Sequence, residues 1–212
     1  MIFTNDLKKE LRSYFENGLR SLSYPFEPFW IYLQLLVKWN SKINLTTITD
    51  PMRVVEEHFI DSLAAIPYLE KSKSLLDIGS GAGFPGIPLA IARPEVQIVL
   101  CESIKKKSDF LREVVRQLNL KNVVIKNMRL EEGSILGRFD SIVSRGTMDI
   151  HSLIKLSGPS LSQNGQIISY KGPEVEKELL ELELKGLRIE EYRYLLPYSK
   201  KRRVLIIIKK TN

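Results

Sequence analysis

The chain has 212 residues, 43% hydrophobic and 27% charged, with a net charge of +7, which suits one soluble domain, or one with an extension, that buries its own core. A single cysteine, Cys101, excludes an internal disulfide framework. No apolar run reaches the roughly 18 residues of a membrane span, and Asp6, Lys8, Lys9 and Glu10 stand where a signal peptide needs an apolar core. The charge is uneven. Residues 1–70 hold 7 Lys/Arg against 9 Asp/Glu, a net of −2, and residues 71–212 hold 25 against 16, a net of +9. That excess suits a polyanionic partner, nucleic acid first, although many soluble proteins are simply basic.

Residues 1–70 read as helical. Asn5 or Asp6 is placed to cap a helix with Leu7, Leu11, Phe15 and Leu19 along one face. Phe29, Trp30, Leu33, Leu36 and Trp39 crowd the next pattern, and a helix this apolar packs on more than one side. Asp50-Pro51 starts a third helix that carries Val54, His58, Phe59 and Leu63. From residue 74 short apolar runs at 74–78, 97–101, 122–125, 139–144 and 165–170 alternate with helical patterns at 85–92, 104–119, 130–136 and 149–161. That order predicts a parallel sheet with helices on both faces. A charged helix over 174–184 and two strands, 188–196 and 203–209, end the chain. Their short connection makes them antiparallel neighbours.

The first strand runs into Asp77-Ile78-Gly79-Ser80-Gly81-Ala82-Gly83-Phe84-Pro85-Gly86, and two readings of this turn compete. Gly81-x-Gly83-x-x-Gly86 fits a dinucleotide site. Asp77-x-Gly79-x-Gly81-x-Gly83 is the signature of S-adenosylmethionine-dependent methyltransferases. A pyrophosphate turn needs its first glycine at the strand end, and Gly81 comes too late. The antiparallel finish of the sheet also suits the methyltransferase fold. Glu102, ending the second strand, is placed to accept hydrogen bonds from the ribose of either ligand. Cys101 follows Leu100 inside a strand and reads as a core residue. His58 and Asp61, three apart, read as a hydrogen-bonded structural pair, too few for a metal site. Trp30 and Trp39 read as core. Lys200-Lys201-Arg202-Arg203 is a basic cluster on the last hairpin.

Longer motifs carry a family resemblance. They are Trp39-Asn40-Ser41-Lys42-Ile43-Asn44-Leu45-Thr46, His58-Phe59-Ile60-Asp61-Ser62-Leu63, Asp77 to Pro88, the Ser103, Lys106, Phe110 and Leu111 set, Arg129-Leu130-Glu131-Glu132, Ser144-Arg145 and Tyr170-Lys171-Gly172. Through them the chain resembles the RsmG (GidB) family of bacterial 16S rRNA guanine-N7 methyltransferases. Lys107, Leu130 and Gly146 depart mildly from the family pattern. The resemblance implies a Rossmann-like class I α/β methyltransferase fold: a mostly parallel seven-stranded sheet ending in an antiparallel hairpin. It also implies a helical extension over 1–70 packed on a methyltransferase domain over 71–212.

The activity it implies is methyl transfer from S-adenosylmethionine to N7 of a guanine in 16S rRNA, the decoding-region position conventionally called 527. Guanine N7 already carries an in-plane lone pair and needs no base. By the same analogy Gly79, Gly81, Phe84, Glu102, Leu130, Glu131 and Arg145 hold the cofactor. Arg145 is also the candidate catalytic residue, on guanine O6, on a phosphate, or on the cofactor carboxylate alone. Lys106, Arg129 and Lys171 are candidate contacts to RNA. The expected partner is 16S rRNA or the small ribosomal subunit, the expected location the cytoplasm and the expected state a monomer, with no metal. A NAD-dependent oxidoreductase and an RNA-binding protein with a vestigial cofactor site remain the alternatives.

Overall fold

Seven strands form one sheet in the order β3-β2-β1-β4-β5-β7-β6. They are β1 (Ser74–Ile78), β2 (Gln97–Glu102), β3 (Val123–Asn127), β4 (Phe139–Arg145), β5 (Leu161–Lys171), β6 (Leu187–Leu195) and β7 (Arg202–Lys210). The structure, a computed structural model, describes residues 3–19, 24–146, 148–180, 182 and 186–211. β1 pairs in parallel with both β2 and β4, so Asp77 lies beside Leu100 on one side and Val143 on the other. β7 is antiparallel to β5 and to β6. The strand order reverses between β1 and β4, and the crevice beyond their carboxyl ends is where open α/β sheets bind ligands.

Period-two alternation divides the strand residues between two cores. Leu75, Leu100, Val143, Ile168 and Ile207 face one core; Leu76, Cys101, Ile142, Ile167 and Ile206 face the other. The first core continues into the N-terminal helices through Leu11, Phe15, Phe29, Leu33 and Phe59. Those helices are α1 (Asn5–Leu19), α2 (Phe26–Asn40), α3 (Pro51–Val54), a π-helical stretch Val55–Ile60 and α4 (Asp61–Leu63). They lie on the same side as α5 (Gly86–Ala92) and α6 (Lys105–Gln117), while α7 (Ile150–Ser157) and α8 (Val175–Leu180) cover the second core.

The expected elements return with three corrections. Thr4, not Asn5 or Asp6, caps α1: its Oγ1 accepts from the Leu7 N–H at 3.2 Å, because the helix begins one residue early. Residues 130–136 are not helical. Gly133 and Gly137 have φ of +84° and +130°, and Ser134 Oγ accepts from the Glu131 N–H at 3.2 Å, so the segment turns instead. The helix expected over 174–184 spans Val175–Leu180, and its positions 181 and 183–185 lie outside the described residues. Among the described residues no helix is long and apolar enough to cross a membrane.

Candidate active site

A cavity of about 910 Å³ opens at the carboxyl ends of β1, β2 and β4. Its lining includes all seven residues expected at the cofactor: Gly79, Gly81, Phe84, Glu102, Leu130, Glu131 and Arg145. A smaller cavity of about 290 Å³ shares His58, Arg145 and Gly146 with it and continues over Ile48, Tyr170, Lys171 and Arg203. Arg145 therefore stands where the two spaces meet.

The glycine turn is built by backbone bonds to the next strand. Gly79 and Ser80 donate N–H groups to the Cys101 carbonyl at 2.9 and 3.1 Å, and Gly83 donates to the Ser80 carbonyl at 2.7 Å. Gly81 has φ +57°, and a Cβ there would meet nothing nearer than the Gly79 carbonyl at 3.8 Å. The backbone of Gly81 is thus bare to the cavity, as close approach of a ligand requires. Gly83 has φ +96°, and a Cβ there would come within 2.5 Å of Tyr32 Oη. That buried phenol donates to the Ala82 carbonyl, so helix α2 props the turn from beneath. Burial holds the Tyr32 hydroxyl far above its usual range, keeping it a donor.

Two carboxylates flank the turn. Glu102 is 5% exposed; its Oε2 accepts from the Gly81 N–H at 2.8 Å and its Oε1 from the Ile104 N–H at 2.7 Å. Each oxygen keeps a lone pair for a ribose hydroxyl. Asp77, by contrast, is fully buried and does not line the cavity. Its Oδ2 accepts from the Gly86 N–H at 3.1 Å, and its Oδ1 is the one buried side-chain oxygen without a partner among the described residues. Burial pushes its carboxyl up to about 7. A Cβ at Gly86 would run into Leu100 and Asp77, so Gly86 is a packing glycine and not a third phosphate-loop position. The Cys101 thiol is 2% exposed and pushed up to about 11 by burial, as befits a core residue.

Arg145 is locked in place by the N-terminal helices. Its Nη1 donates to the Glu57 carbonyl at 3.1 Å and reaches Asp61 Oδ2 at 3.4 Å; its Nη2 meets His58 Nδ1 at 3.1 Å. The guanidinium lies 5.0 Å from the Phe84 ring centroid, and the His58 ring stacks on Phe84 at 4.4 Å. His58 and Asp61 are therefore not bonded to one another as a pair; both grip Arg145. Asp61 is 3% exposed and also accepts from Tyr194 Oη at 2.7 Å. Burial raises the Asp61 carboxyl above its usual value, against the lowering influence of Arg145, Tyr194 and Arg203. The same burial, aided by Arg145, lowers the His58 imidazole to about 3, so the ring is neutral.

The expected RNA contacts are spread out. Arg129 lines the large cavity; Lys106 is exposed on α6, and its neighbour Lys107 is the one that lines the cavity. Lys171 lines the smaller cavity, but its Nζ is held by Glu178 at 2.8 Å and by the Met148 carbonyl at 2.8 Å. In the hairpin cluster Lys201 and Arg203 turn inward to Glu57, at 2.7 and 3.4 Å. Trp30 is buried and Trp39 packs on Phe110 at 5.7 Å, so both tryptophans belong to the core. Thr46 and Leu45 also line the large cavity, which composition and periodicity did not indicate. Their signal was the Trp39–Thr46 motif: Asn40 Oδ1 accepts from the Leu45 and Thr46 N–H groups at 2.8 and 3.0 Å and Asn40 Nδ2 donates to the Thr46 carbonyl at 2.9 Å.

A bare glycine backbone, a carboxylate for ribose hydroxyls and a cavity large enough for a nucleoside with an amino-acid tail fit S-adenosylmethionine. The model of the family described as rRNA small subunit methyltransferase G matches residues 26–204. The ribosomal RNA small subunit methyltransferase G of Lachnoclostridium phytofermentans is 41% identical over 214 residues, covering 93% of this chain and 88% of the relative. Among solved structures, the O-methyltransferase TomG of Streptomyces achromogenes in complex with SAM aligns over 100% of both chains with a TM-score of 0.62 at 13% identity. TYW2 of M. jannaschii in complex with AdoMet aligns over 81% of this chain and 80% of its own with a TM-score of 0.57 at 14% identity. The structural likenesses show the fold alone, the class I S-adenosylmethionine-dependent methyltransferase fold, while the sequence match overrules both the dinucleotide reading and the vestigial-site reading. The chain therefore belongs to the rRNA small subunit methyltransferase G (GidB) family, S-adenosylmethionine-dependent enzymes.

Proposed function

We propose that the protein methylates N7 of a guanine in 16S rRNA, at the decoding-region position conventionally called 527. The observation that carries this reading is Arg145 at the junction of the two cavities. S-adenosylmethionine supplies an electrophilic methyl group on a sulfonium sulfur. Glu102 orients the donor through its ribose hydroxyls, and the Gly79–Gly81 backbone lets it approach. Leu130 and Glu131 line the end of the cavity beyond β3 and would hold the adenine there. Arg145 keeps its Nε hydrogen and one Nη2 hydrogen without a partner among the described residues. With these it holds the cofactor carboxylate on one side and guanine O6 or a flanking phosphate on the other.

The chemistry needs alignment more than proton transfer. His58 is unsuited to act as a base, because its Nδ1 already accepts from Arg145 and burial disfavours its charged form. Guanine N7 requires none. The extension over 1–70 supplies the wall that fixes Arg145, while 71–212 supply the cofactor cradle. Lys106, Lys107 and Arg129 meet phosphates at the rim, while Lys171, held by Glu178, anchors the end of β5 at the smaller cavity. The protein works in the cytoplasm, as a monomer, on the RNA or the assembling subunit. Replacing Arg145 with Ala should cut transfer of tritiated methyl to unmethylated small-subunit RNA by about a hundredfold or more, with the fold intact by circular dichroism. Turnover at the wild-type level would remove Arg145 from the mechanism.

A further inference from the structure

The hydrogen bonds that begin at Arg145 do not stop at His58, and following their donors and acceptors fixes the role of one more cavity group. A guanidinium only donates, so His58 Nδ1, 3.1 Å from Arg145 Nη2, is an acceptor. The imidazole is neutral, as its burial requires, so its single hydrogen sits on Nε2. Nε2 lies 2.8 Å from Thr46 Oγ1 and donates to it. Thr46 Oγ1 also accepts the Ile48 N–H at 3.1 Å, which occupies its second lone pair. Asn40 takes both the N–H and the carbonyl of Thr46. What remains to Thr46 is one hydroxyl hydrogen, with no acceptor among the described residues, on a side chain that lines the cofactor cavity.

We propose that Thr46 is a specificity residue: a hydroxyl held as donor only, which reads the O6 carbonyl of the acceptor guanine and refuses the amino group of adenine. Adenine offers the same N7 acceptor but presents a donor where guanine presents O6. An ordinary threonine would rotate to accept from it; this one cannot, since both lone pairs are filled. The position also favours the acceptor over the cofactor. Thr46 lines the large cavity, and Ile48, two residues on, lines the smaller one, so this segment crosses the same junction as Arg145. The inference rests on the guanine-N7 reading above.

The test compares wild type, Thr46→Val and Thr46→Ser on small-subunit RNA carrying either guanine or 2-aminopurine, which keeps N7 and lacks O6, at the acceptor position. Thr46→Val also strands the His58 and Ile48 donors, a loss common to both RNAs, so the role is read from the difference: kcat/KM should fall about tenfold further on the guanine RNA than on the 2-aminopurine RNA. Thr46→Ser should restore the guanine rate, and S-adenosylhomocysteine affinity should stay within about twofold throughout. An equal loss on both RNAs, or a loss of cofactor affinity that accounts for the whole effect, would overturn the role. Thermal melts of both variants separate loss of the hydroxyl from loss of the fold: a Thr46→Val fall in rate that tracks unfolding and that Thr46→Ser does not rescue also counts against it. Failure of the wild-type protein to methylate the guanine RNA would instead defeat the underlying reading.

Discussion

Tyr32→Phe tests whether the N-terminal helices are structural support for the cofactor turn. The ring stays in place, among Phe59, Phe84 and Phe110, so no cavity opens. What is lost is one hydroxyl that donates to the Ala82 carbonyl, a group on a residue only 6% exposed. A buried hydrogen bond contributes about 0.5–1.5 kcal/mol net, and stranding its acceptor costs about 1–3 kcal/mol. The expected loss is therefore about 2 kcal/mol, which in a domain of this size lowers Tm by roughly 4–8 °C. Ala82 lines the cofactor cavity, so a loosened turn should also weaken S-adenosylhomocysteine several-fold in calorimetric titration. Urea unfolding within about 0.5 kcal/mol of wild type, together with unchanged cofactor affinity, would refute the reasoning.

Glu102→Gln should reduce S-adenosylhomocysteine affinity by about tenfold or more, because an amide offers one acceptor oxygen where two backbone N–H groups and a ribose compete; unchanged affinity in titration would dismiss the carboxylate. For pH, the sign follows from His58, whose folded value of about 3 lies below the ordinary 6.5. The unfolded chain then binds a proton that the folded chain refuses, so this contribution is present above pH 6.5 and is lost as pH falls toward 3. Asp77, raised to about 7, acts in the opposite direction and masks the effect in the wild-type protein alone. The stability difference between wild type and His58→Gln, measured in urea at about pH 7 and again at about pH 5, should shift by about 2 kcal/mol in the variant's favour at the lower pH. No shift would mean that the imidazole is charged in the folded state.

The central strands were legible because they alternate between two cores, as Leu75 and Leu76 do on adjacent faces. The glycine turn and Glu102 were legible as the wall of a ligand cavity because strand, glycine turn and strand-end acid are local patterns, while Phe84, Leu130, Glu131 and Arg145 were reached only through the family motifs. The surroundings of Arg145 were not. Its partners lie on another element far away in sequence, and every residue of Val55–Ile60 is buried, so no amphipathic stripe marks which side faces the site. The π-helical turn there re-aims His58 and Asp61 together onto one guanidinium, which a spacing of three in an ordinary helix would only suggest. Residues 130–136 carried a helical apolar pattern that two glycines at positive φ override. Lys171 stood among the candidate RNA contacts because the sequence does not show that Glu178, on α8, folds back onto its ammonium group.

The most direct test of the account is to incubate the protein with labelled S-adenosylmethionine and unmethylated small-subunit RNA or particles, and map the product nucleotide by mass. The account predicts a single methyl on N7 of one guanine in the decoding-region loop of 16S rRNA, absent when Arg145 is replaced by Ala. A methyl on a different atom or base, or on protein in place of RNA, would contradict it.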